Sequence, residues 1–167
     1  MRHEDRKLGR QMAFQFLFGL EFSGYEPETA LAQFWEMEPA ALTAESFDDG
    51  EDPAFAPPSM GGGEMKRARK YAERLVSGVL SNEERISGLM DGAVENWSAD
   101  RVGRVESIVL RVALYEMLEV GEVPQPVSIN EAVNMTKAFG SEEGARFVNA
   151  VLDKIRVKNS PPAAEKE

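Results

Sequence analysis

Residues 105–120 constrain the fold most, because they place apolar side chains on nearly every side of a predicted helix. A helix without a polar face is buried among other elements of its domain. This segment therefore predicts a central helix that other helices must surround. Its apolar residues are Val105, Ile108, Val109, Leu110, Val112, Ala113, Leu114, Met117 and Leu118.

The other ordered segments show apolar residues at spacings of three and four, which is the period of an amphipathic helix. Strands would show alternation with a period of two, and no segment does. We therefore predict an all-α protein, a compact bundle of seven helices in one domain over residues 1–157, with a disordered tail at 158–167. The predicted helices cover residues 6–22, 27–37, 64–80, 81–97, 105–120, 128–139 and 141–157.

Three serines predict helix starts. Ser81 and Ser128 are each followed by glutamate three residues later, which is the spacing of a capping box. Ser141 precedes two glutamates, and negative charge is favourable in the first turn of a helix. Pro124 and Pro126 predict an extended link before the sixth helix.

The net charge of −10 is unevenly distributed. Residues 21–64 hold eleven acidic and no basic side chains, whereas residues 1–20 hold four basic and two acidic ones. Residues 38–63 are also rich in proline and glycine, so we predict an acidic, flexible loop there. The first helix is then a positive region on an otherwise acidic molecule.

Composition excludes several classes of site. The chain has no cysteine and a single histidine, His3, so disulfides, thiolate zinc sites, cysteine nucleophiles and two-histidine metal sites are excluded. We expect no metal, no cofactor and no catalytic residue. The apolar stretch at 12–20 is interrupted by Gln15, which favours a mature helix over a signal peptide. We expect a soluble, cytoplasmic protein.

Five motifs resemble the C-terminal half of the NusB family when they are taken in order. The first helix resembles that family more loosely, through Arg6, Lys7, Arg10, Gln15, Leu17 and Ser23. Relative to the family pattern, Phe18 replaces a usual tyrosine, Ala150 a common glycine, and the acidic loop is longer. The motifs are IVLRVALYE at 108–116, VP at 123–124, VSINEAV at 127–133, KAFG at 137–140 and RFVNAVLDKI at 146–155.

The resemblance implies a fold of two three-helix lobes plus an extra helix. It also implies a non-catalytic transcription antitermination factor. Members of the family pair with NusE, a small-subunit ribosomal protein, and the pair binds the boxA element of single-stranded leader RNA. This implies a place in the transcription elongation complex, with read-through of ribosomal RNA operons as the result.

The residues that the resemblance assigns to RNA suit that role chemically. Arg6, Lys7 and Arg10 can neutralise phosphates, although from the residues alone they would be taken as solubilising charges. Phe18 and Phe147 offer rings for stacking on bases.

For Phe147, packing in the core is an equal alternative. Lys137 can reach a phosphate, but complementing its helix dipole is the favoured interpretation. The resemblance assigns Arg104 and Glu106 to NusE, and both also fit ordinary solvated charges. Arg111, in the most apolar helix, should form an ion pair, for which Glu116 and Glu131 are the candidates.

Two other classes of function remain open. NusB-like domains also occur at the N-terminus of ribosomal RNA cytosine methyltransferases, which need a Gly-rich loop and a cysteine nucleophile. Neither is present, and about a dozen residues follow Ile155. A helical adaptor that binds only protein is the second alternative, and the salt dependence of RNA binding would distinguish it.

Overall fold

Seven α-helices and no strand make up residues 1–36, 62–94 and 102–159, which are the residues that this computed structural model describes. The all-helical prediction is confirmed. The chain divides into two compact units, Met1–Ser81 and Asn82–Glu167. The helices are α1 His3–Ser23, α2 Pro27–Glu36, α3 Gly62–Ser81, α4 Glu83–Val94, α5 Arg104–Glu119, α6 Gln125–Phe139 and α7 Glu142–Asn159.

In the first unit, α1 packs against α3 and the two helices run in the same direction. Arg2 Nη1 donates to Glu64 Oε1 at 2.7 Å, and Arg67 Nε donates to Asp5 Oδ2 at 2.7 Å. The partners in both pairs are separated by 62 positions. A constant separation means that both chains advance together along the pair, so the helices are parallel.

Gly9 is a point of close approach between these two helices. A Cβ atom at Gly9 would lie 2.8 Å from the carbonyl oxygen of Ala68 and 2.9 Å from Cδ1 of Tyr71. Beyond this point Met12 and Ala13 of α1 are buried in the core of the unit. α1 ends at Gly24, whose φ of 65° is the left-handed conformation that glycine adopts readily.

In the second unit, α5 is the buried helix that the sequence predicts. Ile108, Leu110 and Leu114 are fully buried. α5 packs against α4, α6 and α7. At the end of α4, Lys154 Nζ of α7 donates to the carbonyl oxygen of Ala93 at 2.8 Å, which satisfies a backbone acceptor that the helix leaves open.

The predicted helix starts have mixed outcomes. Ser141 caps α7 as expected, since its Oγ accepts from the backbone N–H of Gly144 at 3.0 Å. The prediction for Ser81 is wrong, because Ser81 closes α3 and α4 begins at Glu83.

Ser128 is also not a cap. It lies inside α6, and its own N–H already donates to the carbonyl oxygen of Pro124 at 3.3 Å. Pro126 belongs to the first turn of α6 rather than to an extended link, because a residue in a first turn needs no N–H donor. The missing N–H therefore costs the helix nothing.

Two boundaries and one ion pair differ from the predictions. Gly62 and Gly63 belong to α3, so the predicted loop at 38–63 ends earlier, and its remainder lies outside the described residues. α7 continues through Asn159, two residues into the predicted tail. The rest of the tail, and residues 95–97 at the end of the predicted fourth helix, also lie outside the described residues. Arg111 Nη1 lies 4.0 Å from Glu83 Oε1, so its ion-pair partner is on the neighbouring helix α4. Neither of the predicted partners, Glu116 and Glu131, forms this pair.

The close approach at Gly9 predicts opposite effects for two glycine substitutions in α1. Gly9→Ala should lower the free energy of unfolding by roughly 1–3 kcal/mol, because the new methyl group overlaps α3. Gly19→Ala, where no atom lies within 4 Å of the added Cβ, should raise it by about 0.5–1 kcal/mol through helix propensity. Urea denaturation of both variants checks the signs, and equal effects would contradict the close approach of α3 at Gly9.

The Asp5–Arg67 pair predicts a specific loss of stability in acid. The hydrogen bond from Arg67 lowers the pKa of Asp5, and the same bond raises the pKa of Arg67. A depressed folded-state pKa stabilises the protein above the unfolded value of about 3.9, and this stabilisation is lost as the pH falls through the folded pKa. Asp5→Asn should therefore flatten the decline of the unfolding free energy below about pH 4. Arg67→Gln should do the same, and parallel pH profiles for wild type and both variants would contradict the assignment.

Candidate nucleic-acid interface

One face of α1, which we call the α1 strip, carries two of the residues predicted to contact RNA. Lys7 and Phe18 are half-buried and lie eleven positions apart, which places them within about 20° of each other around the helix and about 16 Å apart along it. The ring of Phe18 contacts Phe14 at 5.8 Å and Phe22 at 5.3 Å between centroids. Phe14 is buried, whereas Phe22 is 59% exposed, so the three rings lead from the core to the surface.

Arg10 does not belong to this strip, and its prediction as a surface cation is wrong. The residue is 3% exposed, and its guanidinium lies 5.9 Å from the centroid of the Tyr71 ring, within the range of a cation–π interaction. The spacing of Arg10 to Ala13, Phe14 and Leu17 is three, four and seven, and all three are buried. Helical phase therefore could have placed Arg10 on the inner face.

Arg6 lies one turn before Arg10 and is half-buried. It is therefore at the edge of the inner face, with part of its side chain accessible. In the first unit the structure thus brings the half-buried Lys7 and Phe18 to one face of α1. Arg6 lies at the border of this face, and Arg10 lies outside it.

In the second unit, an open pocket of about 610 Å³ lies between the start of α5 and the start of α7. This volume is within the usual range for sites that hold small organic groups, including a nucleobase. The described residues that line it are Gly103, Glu106, Ser141, Glu143, Gly144, Arg146 and Phe147.

Glu106 reaches across from α5 to the first turn of α7. A Cβ atom at Gly103 or Gly144 would overlap the Glu106 carboxylate, so glycine at these two positions makes room for it. Gly103 precedes α5 and Gly144 is in the first turn of α7, so two helix N-termini face the same carboxylate. Helix N-termini favour negative charge, which holds Glu106 in place.

Phe147 is 8% exposed, so most of its ring is packed in the core of the second unit. It also lines the pocket, so only a small part of the residue is accessible there. Arg146, which the sequence prediction passed over, is exposed beside it and lines the same pocket. Arg146 is three positions after Glu143, and this spacing predicts that the two side chains lie on the same face of α7, where both line the pocket.

Two further predicted residues lie in this unit. Lys137, in the last turn of α6, has its Nζ 3.6 Å from Glu142 Oε1 in the first turn of α7. This position in a last turn is compatible with a favourable interaction with the helix dipole, and the role of Lys137 in RNA binding stays a prediction. Arg104 is the exposed first residue of α5, two positions before Glu106.

Within the described ranges, no group of three or more acidic, histidine or cysteine side chains could hold a metal ion. No helix of these ranges has the length and apolar content needed to cross a bilayer. The protein is thus all-helical over the described residues, with Lys7 and Phe18 on one face of α1 in the first unit and a pocket in the second.

Comparison with known proteins identifies the family. The NusB family model matches residues 8–156. The transcription antitermination protein NusB of Geobacter sulfurreducens is 34% identical over 150 residues, which cover 90% of this chain and 92% of that protein. The chain belongs to the NusB family, whose members are non-catalytic transcription antitermination factors.

Solved structures show the same fold. T. maritima NusB matches with a TM-score of 0.69 and 29% identity, covering 96% of both chains. A chain from the crystal structure of the antitermination factors NusB and NusE in complex with double-stranded RNA matches with a TM-score of 0.67 and 24% identity, covering 94% of this chain and 99% of that one. The second similarity, at this identity, concerns the fold alone.

The position of Glu106 predicts that the effect of Gly144→Ala depends on whether Glu106 is present. In the wild type, Gly144→Ala should lower the free energy of unfolding or leave it unchanged, because the gain in helix propensity is offset by displacing the Glu106 carboxylate. In a Glu106→Ala background the same substitution should raise it by about 0.5–1 kcal/mol. Thermal unfolding of the four proteins measures this coupling, and additive effects would show that Glu106 lies elsewhere.

Proposed function

We propose that this protein is a transcription antitermination factor that binds the boxA element of single-stranded leader RNA together with NusE. In this role it acts in the cytoplasm, within the transcription elongation complex, and supports read-through of ribosomal RNA operons. Membership of the NusB family supports the general role. The pocket of the second unit supports the joint binding of RNA and protein.

One observation carries the joint binding. Glu106, which the family resemblance assigns to NusE, and Phe147, which it assigns to RNA, line the same pocket. A base that enters this pocket would lie against Phe147, and the exposed guanidinium of Arg146 would lie beside its phosphate. NusE bound at Arg104 and Glu106 would then close the pocket from the α5 side. RNA and NusE would each shield part of the same pocket from solvent, so the binding of one would favour the binding of the other.

The first unit supplies the second part of the RNA surface. Lys7 neutralises a phosphate, Phe18 stacks on a base and Arg6 contributes charge from the border of the strip. The ring of Phe18 lacks the hydroxyl of the tyrosine that is usual at this position, which removes a hydrogen bond and keeps the stacking face. Three or four such phosphate contacts hold RNA weakly, so the partner protein is needed for tight binding.

The fold is compatible with two partners at once. The NusB chain in the complex with NusE and double-stranded RNA has the same fold, and it holds a protein and RNA in one assembly. The similarity to the Geobacter sulfurreducens protein extends over 92% of that protein's own length, so it is a similarity to a whole antitermination protein. This coverage favours the proposal over a domain of a methyltransferase.

The proposal predicts RNA binding that depends on NusE and on salt. The protein with NusE should shift a boxA oligonucleotide much more strongly than either protein alone. The slope of log affinity against log salt should be about −2 to −3 for three or four phosphate contacts. Arg6→Gln with Lys7→Gln should reduce this slope by about 1.4 and leave helicity unchanged.

Arg85→Gln with Lys158→Gln is the matched control, because it removes the same charge at exposed positions outside both surfaces. It should bind RNA within about twofold of wild type, as expected when no phosphate contact is lost. Binding that is equal for boxA and scrambled RNA and insensitive to salt would contradict the proposal. Binding of NusE without any RNA would instead support the protein-only adaptor.

A further inference from the structure

The exposed face of α3 carries a straight row of cations. Lys66, Lys70 and Arg74 are all exposed and follow one another at intervals of four residues. Residues spaced by four lie on one face of a helix, and each step advances about 6 Å along the axis. We call these three residues the α3 row.

Two members of the α3 row keep their charge unneutralised within the described part of the chain. The neighbouring arginines are paired: Arg67 donates to Asp5, and Arg69 Nε donates to Glu73 Oε1 at 3.2 Å. Lys66 and Lys70 form no ion pair with any described residue. Glu73, the acidic side chain on this face, forms its ion pair with Arg69.

The parallel packing places the row level with the cations of α1. With a separation of 62 positions between paired residues, Lys70 of α3 is level with Leu8 of α1, one residue beyond Lys7. Packed helices have axes about 8–10 Å apart, and Gly9 permits a close approach here. The middle of the α3 row is therefore level with the first two turns of α1, which carry Arg6 and Lys7.

We propose that the α3 row is a second contact for the RNA backbone and holds nucleotides that flank the segment bound at α1. This inference rests on the proposed function and extends the RNA path within the first unit. Lysines bind phosphates as point charges without reading the base, which suits flanking RNA of variable sequence. Protein interfaces are instead depleted of lysine and have an apolar centre, whereas the neighbours of this row on the same face include the polar residues Glu73 and Ser77.

Lys66→Gln with Lys70→Gln tests the inference. Fluorescence anisotropy with NusE present should be measured on two RNAs, one limited to boxA and one extended on both sides. On the extended RNA, the variant should bind on the order of 10-fold more weakly at 0.1 M salt, with a slope less steep by about 1.4. On the short RNA it should bind as wild type does, and its helicity should be unchanged because both lysines are exposed.

The control Arg85→Gln with Lys158→Gln has the same change in charge and should bind both RNAs as wild type does. Equal binding of wild type and the Lys66/Lys70 variant to the extended RNA would overturn the inference while the proposed function stands. Equal weakening on both RNAs would also overturn it, because the row would then belong to the boxA site. If the variant lost only its binding to NusE, the row would be a protein contact and the inference would be wrong. If the wild type bound neither RNA, both the inference and the proposed function would be wrong.

Discussion

The absence of a side chain at Gly9 determines how the first unit is assembled. It allows α1 to approach the carbonyl oxygen of Ala68 and the ring of Tyr71, and the hydrogen bonds of Asp5 with Arg67 fix the register of the two helices. Because the helices are parallel, their basic N-terminal halves lie side by side. The same packing turns Arg10 inward over Tyr71 and leaves Lys7 on the α1 strip.

The fold could be predicted from the sequence wherever periodicity was strong. Ile108, Leu110 and Leu114 of α5 are fully buried, as the apolar pattern requires, although one side of this helix is only half-buried. Ser141 caps α7 through a local hydrogen bond. The capping boxes at Ser81 and Ser128 failed because a serine and a glutamate three residues apart also occur inside helices. The start of α6 depended on Pro126 being accommodated in a first turn, and the two-proline pattern also fits an extended link.

The sites were less accessible to prediction, because exposure depends on tertiary packing. Charge alone placed Arg10 on the surface, although its helical phase matches buried neighbours. Phe147 lies at the boundary between the core and the pocket. From the sequence, core packing and RNA stacking were therefore equal alternatives for this residue. The Glu106 side chain packs against Gly144, which is about forty positions away in the sequence. No local sequence pattern reveals such a contact.

Parallel packing of α1 and α3 also determines what the chain between them must do. α1 has 21 residues and is about 31 Å long, and the chain has to travel back over that length before α3 begins. An extended chain covers this distance with about ten residues, and 38 residues, including those of α2, separate Ser23 from Gly62. Extra length in a connection costs little, about 0.6 kcal/mol for each doubling. Insertions and deletions are therefore tolerated in this connection, whereas a single inserted residue within α1 or α3 would rotate all following side chains by about 100°.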